Sequence, residues 1–132
     1  MAAQDKTDGL IKMKSYTGNN SGAGPQKVTV KEVSRLAGSD DAQVREYELP
    51  LEPSLKLYSH SPDGFQWGSQ GSGCAQTALA ILLDLTGDKA LSVALHQEFK
   101  RHLIATASKR LVITEPTIRR WLQVVSNKET NQ

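Results

Sequence analysis

The spacing of apolar residues changes near the middle of the chain, from every second residue to every third or fourth. Before residue 60, apolar and polar residues alternate in three short segments: Leu10–Tyr16, Lys27–Val33 and Val44–Leu49. This alternation predicts strands with one buried face. Pro50 and Pro53 then interrupt it, so we expect residues 51–58 to form a short edge strand or an extended connector. Short strands joined by polar loops favour an antiparallel sheet.

The second half of the chain has helical spacing. Apolar residues three and four positions apart predict a helix from Ser72 or Gly73 to Leu85. Gly87 supplies the left-handed residue that commonly ends a helix, and Asp88 is a suitable cap for the next one. These two helices share a short connector, so we expect them to pack against each other.

The remaining elements follow from the same patterns. The helix after Asp88 has a stripe of apolar residues four positions apart: Leu91, Leu95, Phe99 and Leu103. Leu111–Ile113 predicts a short strand or extended segment, and Thr114 followed by Glu115 and Pro116 predicts the start of a helix over Ile118–Val125.

These elements predict one α+β domain. A small antiparallel sheet of three or four strands occupies the N-terminal half, and about three helices from the C-terminal half cover one of its faces. A chain of 132 residues matches the common size of one domain. We place the domain at residues 9–126, with a disordered polar N-terminus at 1–8 and a frayed C-terminus at 127–132.

A glycine-rich segment in the middle carries a resemblance to a known family. The matching residues are His60–Phe65, Trp67-Gly68, Gly71–Gln76 and Ala78–Asp84. They resemble the signature of an uncharacterised family of small proteins from phages, prophages, plasmids and bacterial chromosomes. The similarity extends from Tyr16-Thr17-Gly18 through residues 28–51 to Phe99-Lys100 and Trp121-Leu122, which is most of the chain.

The resemblance implies a biological setting for the protein and does not imply a reaction. Small proteins of this kind commonly serve as accessory or host-interaction factors, including inhibitors of bacterial defence systems. The chain departs from the family pattern at two positions: Cys74 stands where proline is usual, and Ser69 stands where an aromatic residue is frequent. The family therefore does not support a mechanism based on Cys74.

The start of the first long helix is nevertheless the best candidate for a nucleophile. Cys74 lies in the first turn after a glycine-rich loop, as in papain-like enzymes, and there the helix dipole lowers a thiol pKa. The same segment resembles the helix start of bacteriocin-processing peptidases, but that alignment puts Ser72 at the cysteine position. A papain-like hydrolase using Ser72 or Cys74, with His60 as base, is therefore one alternative. The other interpretation of Cys74 is a small packed residue, and we predict no catalytic residue.

The three histidines do not form a pattern typical of a site. His96 and His102 are six residues apart on one helix and point to different faces. We place His96 at the surface or at its boundary with the core, and we expect the ring of His60 to fix the Ser61–Gly64 turn. One cysteine and three scattered histidines do not supply clustered metal ligands. The prediction is no metal and no cofactor.

Binding residues are the alternative to catalysis. Phe65 and Trp67 are two residues apart, so in an extended segment they share one side and could form a contact surface, although core burial is the other interpretation and is favoured for Trp67. We assign the predicted binding surface to the loop and to the basic C-terminal half, and its residues are Phe65, Trp67, Gln70, Ser72, Gln76, Arg119 and Arg120.

Composition narrows the class of protein. Sixteen Lys and Arg against 14 Asp and Glu give a net charge of +2, which is well below a typical nucleic-acid-binding profile. One cysteine, no signal-peptide pattern and no apolar run of membrane length indicate a cytoplasmic protein. We expect a non-catalytic interaction module of a mobile genetic element. Its partner is a host or phage protein, with no membrane, and its oligomeric state is open.

Two further expectations remain. A nucleic-acid-binding module that uses the basic helices is the second alternative. Gly71 and Gly73 are expected to adopt backbone angles open only to glycine, so that alanine at either position would destabilise the fold.

Overall fold

The computed structural model describes residues 9–130, with side chains up to Asn127. Residues 1–8, for which a disordered N-terminus is predicted, lie outside the described residues, as do residues 131 and 132. The elements in chain order are β1 (Leu10–Asn19), β2 (Thr29–Leu36), β3 (Ala42–Glu48), α1 (Glu52–Leu57), α2 (Ser72–Thr86), α3 (Lys89–Phe99), a π-helical turn (Lys100–Ile104), β4 (Arg110–Thr114) and α4 (Glu115–Thr130).

The strands form one antiparallel sheet in the order β3-β2-β1-β4. Tyr16 at its centre lies opposite Val30 on one side and Ile113 on the other. All three are buried, so this face carries the core. The predicted α+β fold, with a small sheet mostly from the N-terminal half and helices mostly from the C-terminal half, is confirmed.

Helix α2 is the most buried element. Every residue from Cys74 to Leu82 is buried, and its apolar side chains belong to one core cluster with Tyr16. The predicted helix ends are confirmed: Gly87 adopts φ 67°, and the Asp88 carboxylate accepts a hydrogen bond from the N–H of Leu91 at 3.0 Å. The sequence patterns therefore predicted the position of the central helix α2 correctly.

The prediction of an edge strand or connector at residues 51–58 is wrong, because Glu52–Leu57 forms helix α1. Pro53 lies in the first turn of this helix, where a missing N–H costs no intrahelical hydrogen bond. The carbonyl of Leu51 accepts both the N–H of Leu55 at 3.2 Å and the hydroxyl of Ser54 at 2.8 Å. Proline therefore starts a helix here and does not end a strand.

The apolar stripe of α3 reaches Leu103 as predicted, since Leu103 is half-buried against the core, but the α-helix itself ends at Phe99. The chain widens into the π-helical turn, in which the N–H of Ala105 donates to the carbonyl of Lys100 at 2.7 Å. The wider turn rotates the following residues, so Ile104 is fully buried while Leu103 is half-buried. The carbonyl of Ile104 then accepts the N–H of Gly68, which ties the turn to the glycine-rich loop.

The backbone expectation for Gly71 and Gly73 is also wrong. Gly71 has φ −75° and ψ 178°, which any residue adopts, and Gly73 has ordinary helical backbone. The positive φ values of this region belong to Gly64 and Gly68. Gly73 matters for a different reason, because a Cβ there would lie 2.9 Å from the Cβ of Gln66.

Within residues 9–130, no helix is both long enough and apolar enough to cross a membrane.

Candidate functional site

The two aromatic residues of the predicted binding loop are in the core. Phe65 is 4% exposed and Trp67 is 3% exposed. The indole N–H of Trp67 donates to the carbonyl of Lys109 at 3.1 Å, and the carbonyl of Phe65 accepts the N–H of Gln26 at 2.9 Å. The expectation of burial for Trp67 is confirmed, and an exposed aromatic surface at Phe65 is wrong. Both rings belong to the core cluster, and the Trp67 ring packs close to Gly18 of β1.

Gln76, also predicted to bind a partner, is fully buried and holds the preceding segment in place. Its side-chain oxygen accepts the N–H groups of His60 at 2.7 Å and Ser61 at 3.0 Å. Its side-chain nitrogen donates to the hydroxyl of Ser54 at 2.8 Å and to the carbonyl of Tyr58 at 3.1 Å. These four bonds fix the path of the chain from α1 to the loop, so Gln76 is structural.

The chain path held by Gln76 brings two histidine rings together. Nε2 of His60 lies 2.8 Å from Nε2 of His96. Nδ1 of His96 lies 2.8 Å from the carbonyl of Val93, and a carbonyl can only accept. His96 therefore carries a proton on Nδ1, and with a neutral His96 ring the Nε2–H of His60 donates to its free Nε2. The ring of His60 binds another histidine and not the Ser61–Gly64 turn, which corrects the expectation from sequence.

The histidine pair lies at the boundary of core and solvent. His96 is only 3% exposed, so of the two predicted positions, surface or boundary, the surface position is wrong. The ring of His60 stacks on Tyr58 with centroids 4.3 Å apart, and Tyr58 is itself exposed. Burial lowers the pKa of His60, and the nearby His96 and Lys100 lower it further. The charged form of His60 is therefore disfavoured in the folded protein.

The residues of the alternative hydrolase site are not arranged as a nucleophile and a base. Cys74 is fully buried, and its sulfur lies 3.4 Å from the hydroxyl of Ser69. Ser72 is exposed in the first turn of α2. Among the hydrogen bonds of residues 9–127, none joins an imidazole to Cys74 or Ser72, and the ring of His60 is occupied by His96.

A second polar cluster joins the sheet to α2, and the sequence patterns did not reveal it. The carboxylate of Asp84 accepts the phenol of Tyr16 at 2.7 Å and the phenol of Tyr47 at 2.8 Å. The ammonium of Lys14 lies 3.2 Å from the same carboxylate. Burial raises the pKa of Tyr16 well above its usual value, and the hydrogen bond and charge of Asp84 add to the effect. The cluster fixes β1 and β3 against α2.

The other predicted binding residues are exposed and lie on separate elements. Gln70 and Ser72 lie at the start of α2, and the ammonium of Lys100 donates to the carbonyl of Gln70 at 3.3 Å. Arg119 and Arg120 lie on α4, where Arg119 forms an ion pair with Glu115 at 3.2 Å. No hydrogen bond within the described part of the chain connects the two groups.

The largest feature that sequence analysis missed is the face of the sheet turned away from the core, called here the open face. Side chains alternate along a strand, so the neighbours of buried Tyr16 and Val30 point to this face. Met13, Val33 and Val44 lie opposite one another across β1, β2 and β3. Met13 is 45% exposed and Val44 is 57% exposed. An apolar row therefore crosses three strands in contact with solvent.

The fold and its side chains define a small α+β protein that has a fully packed core and an open sheet face. No group of three His, Cys, Asp or Glu residues that could hold a metal ion occurs in the described part of the chain. The chain belongs to DUF6166, a family of unknown function, whose model matches residues 32–124, from β2 into α4. Comparison with curated proteins and with solved structures gives no match.

Proposed function

We propose that this protein is a non-catalytic interaction module that acts by binding another protein through its open face. The observation that carries the proposal is the exposed apolar row Met13, Val33 and Val44. Ile11 on the same face is 41% exposed and extends the row along β1, while Val112, 55% exposed, lies on this face beyond the polar pair Ser15 and Thr114. Contiguous apolar surface of this kind marks protein contact sites.

The charged residues around the row suit a protein partner. On the open face, exposed Lys31 of β2 lies opposite Glu46 of β3, with Glu48 next along β3, and exposed Arg35 lies on the other side of Val33. An apolar centre with a polar rim of both signs is the usual composition of a protein interface. A surface with charges of both signs does not favour the binding of a polyanion such as a nucleic acid, which a uniformly positive surface would attract.

The interior supports a non-catalytic protein. Gln76 and Thr77 are fully buried with hydrogen bonds to their neighbours, Cys74 is buried, and the histidine rings bind each other. Buried side-chain nitrogen and oxygen atoms in the described residues all have partners. Polar groups used in this way stabilise the fold.

The biological setting is part of the proposal. The resemblance of the His60–Gly87 segment to phage, prophage and plasmid proteins supports a protein of a mobile genetic element, acting in the cytoplasm of the bacterial host. An accessory or anti-defence factor that binds a host or phage protein fits a small domain without catalytic machinery.

Affinity capture with matched variants tests the proposal. Val44→Lys places a charge at the β3 end of the apolar row, whereas Val124→Lys makes the same change at an exposed position of α4. We expect the wild type and Val124→Lys to retain a partner from host or phage lysate, and Val44→Lys to lose it. A partner that Val44→Lys retains would show that binding uses another surface.

Nucleic-acid binding is the second candidate, because one groove has basic residues. A groove of about 420 Å³ at the end of the sheet is lined in part by Lys27 and Arg110, together with hydroxyl and amide groups. Binding of this kind would weaken steeply as salt rises. A gel-shift titration across salt concentrations, with Lys27→Ala and Arg110→Ala combined, distinguishes it from binding at the open face.

A further inference from the structure

We infer that the partner at the open face is a second copy of this chain, related by a two-fold axis that runs parallel to the strands between β2 and β3. This inference rests on the proposed function, and it names the partner at the part of the open face that β2 and β3 form. It follows from how the strand register distributes charged and apolar residues over the open face.

The register places opposite properties side by side on β2 and β3. Lys31 lies opposite Glu46, and Val33 lies opposite Val44. Both pairs point away from the core, because each is an odd number of residues from the buried position Val30 or from its opposite residue Tyr47. At one level of the face there is a cation beside an anion, and at the next level there are two valines.

A two-fold axis between these strands makes the β2–β3 surfaces of the two copies complementary to each other. The axis keeps each residue at its level along the strands and places β2 of one copy over β3 of the other. Lys31 of each copy then faces Glu46 of the other copy, and Val33 faces Val44. An interface of this type uses the same patch on both subunits, so each favourable contact occurs twice.

The charges that this arrangement requires are free. Neither Lys31 nor Glu46 takes part in an ion pair in the described part of the chain, although they are neighbours across the sheet. Both side chains are exposed. The one ion pair between β2 and β3, Arg45 with Glu32, lies on the core-facing side.

The positions of the charged residues also favour this axis over a two-fold axis perpendicular to the strands. A two-fold axis across the strands at the level of Val33 and Val44 would place Lys31 of one copy over Arg35 of the other. Like charges brought together in an interface cost binding free energy and exclude that geometry. The parallel axis has the further advantage that it aligns the strands of the two sheets, which is a common packing for sheets face to face.

A charge-swap cycle tests the inference. Analytical ultracentrifugation from micromolar to near-millimolar concentration should show the wild type as a monomer–dimer equilibrium. Lys31→Glu and Glu46→Lys should each weaken dimerisation at least about tenfold, because each creates two like-charge pairs per dimer. The double variant restores opposite charges and should return the dimerisation constant to the wild-type range.

Controls separate folding from association. Lys56→Glu changes an exposed lysine on α1, away from the sheet, and should leave dimerisation unchanged. Circular dichroism of each variant establishes that it is folded. Val44→Lys should abolish the dimer, since it places a charge against the facing Val33.

The outcomes also separate the two proposals. A wild type that stays monomeric at all concentrations overturns the second copy as partner, as does a double variant that fails to recover. If Val44→Lys then still loses a captured protein, the open face remains a binding surface for a different partner. If Val44→Lys affects neither association nor capture, the proposed function fails as well.

Discussion

Replacing Gln76 by Met tests whether this residue is structural, as the four hydrogen bonds of its side chain indicate. Met has a similar length and volume, so the change removes polar partners without opening a large cavity. The N–H groups of His60 and Ser61 and the carbonyl of Tyr58 would lose this partner, and the hydroxyl of Ser54 would keep only its bond to the carbonyl of Leu51. The fold would then have unpaired groups around a fully buried helix position.

The expected loss of stability follows from these bonds. One intramolecular hydrogen bond contributes about 1 kcal/mol net to the free energy of unfolding, so the four bonds together contribute about 4 kcal/mol. Some released groups lie close to solvent and recover part of this by binding water. We therefore expect the free energy of unfolding to fall by about 2 to 4 kcal/mol, which corresponds to a decrease in Tm of roughly 10 °C for a domain of this size.

Urea unfolding followed by tryptophan fluorescence measures this loss, because Trp67 is buried and reports on the core. Gln70→Met is the matched control, since Gln70 is exposed in the loop before the same helix. The control should lie within about 0.5 kcal/mol of the wild type. A Gln76→Met variant as stable as the control would refute the assignment of Gln76 as a structural residue.

Three further predictions concern neighbouring positions. Gly73→Ala should destabilise the fold by at least about 1 kcal/mol, because its Cβ would approach the Cβ of Gln66 to 2.9 Å, whereas Gly71→Ala should be nearly neutral in the same urea titration. The lowered pKa of His60 means that the unfolded chain takes up its proton first, so stability should fall as pH decreases below about 6.5, and His60→Gln should reduce that fall in unfolding curves taken across this range. Cys74 should react with iodoacetamide only after denaturation, since the thiol is fully buried; rapid labelling of the native protein, seen by mass spectrometry, would contradict its packing role.

The fold could be predicted wherever a local signal sets the structure. Gly87 and Asp88 mark the junction of α2 and α3 by their own backbone and capping preferences, and the structure has the junction there. Pro53 illustrates the limit, because proline is compatible with an edge strand and with the first turn of a helix. The choice between them depends on packing, and Ser54 is fully buried once the helix forms.

The candidate site was less predictable because its contacts join distant parts of the chain. His60 and His96 are 36 residues apart in sequence, and Asp84 bonds to Tyr16 across 68 residues. Neither spacing has a sequence signature. The open face has a partial one: Val33 and Val44 continue the alternation of their strands on the side opposite the core, and sequence analysis considered only one apolar face.

The polar cluster at Asp84 holds the strands of the open face in position from the core side of the sheet. Strand β3 is at the edge of the sheet and has one neighbouring strand, β2, so its position depends on what holds it from the core side. Tyr47 supplies that contact by donating to Asp84, while the guanidinium of Arg45 packs over the Tyr47 ring at 4.7 Å. Val44 and Glu46 are next to these residues and point the opposite way. Interactions on the core side therefore fix the positions of the side chains that a partner would meet, and binding at the open face needs no rearrangement of the strands.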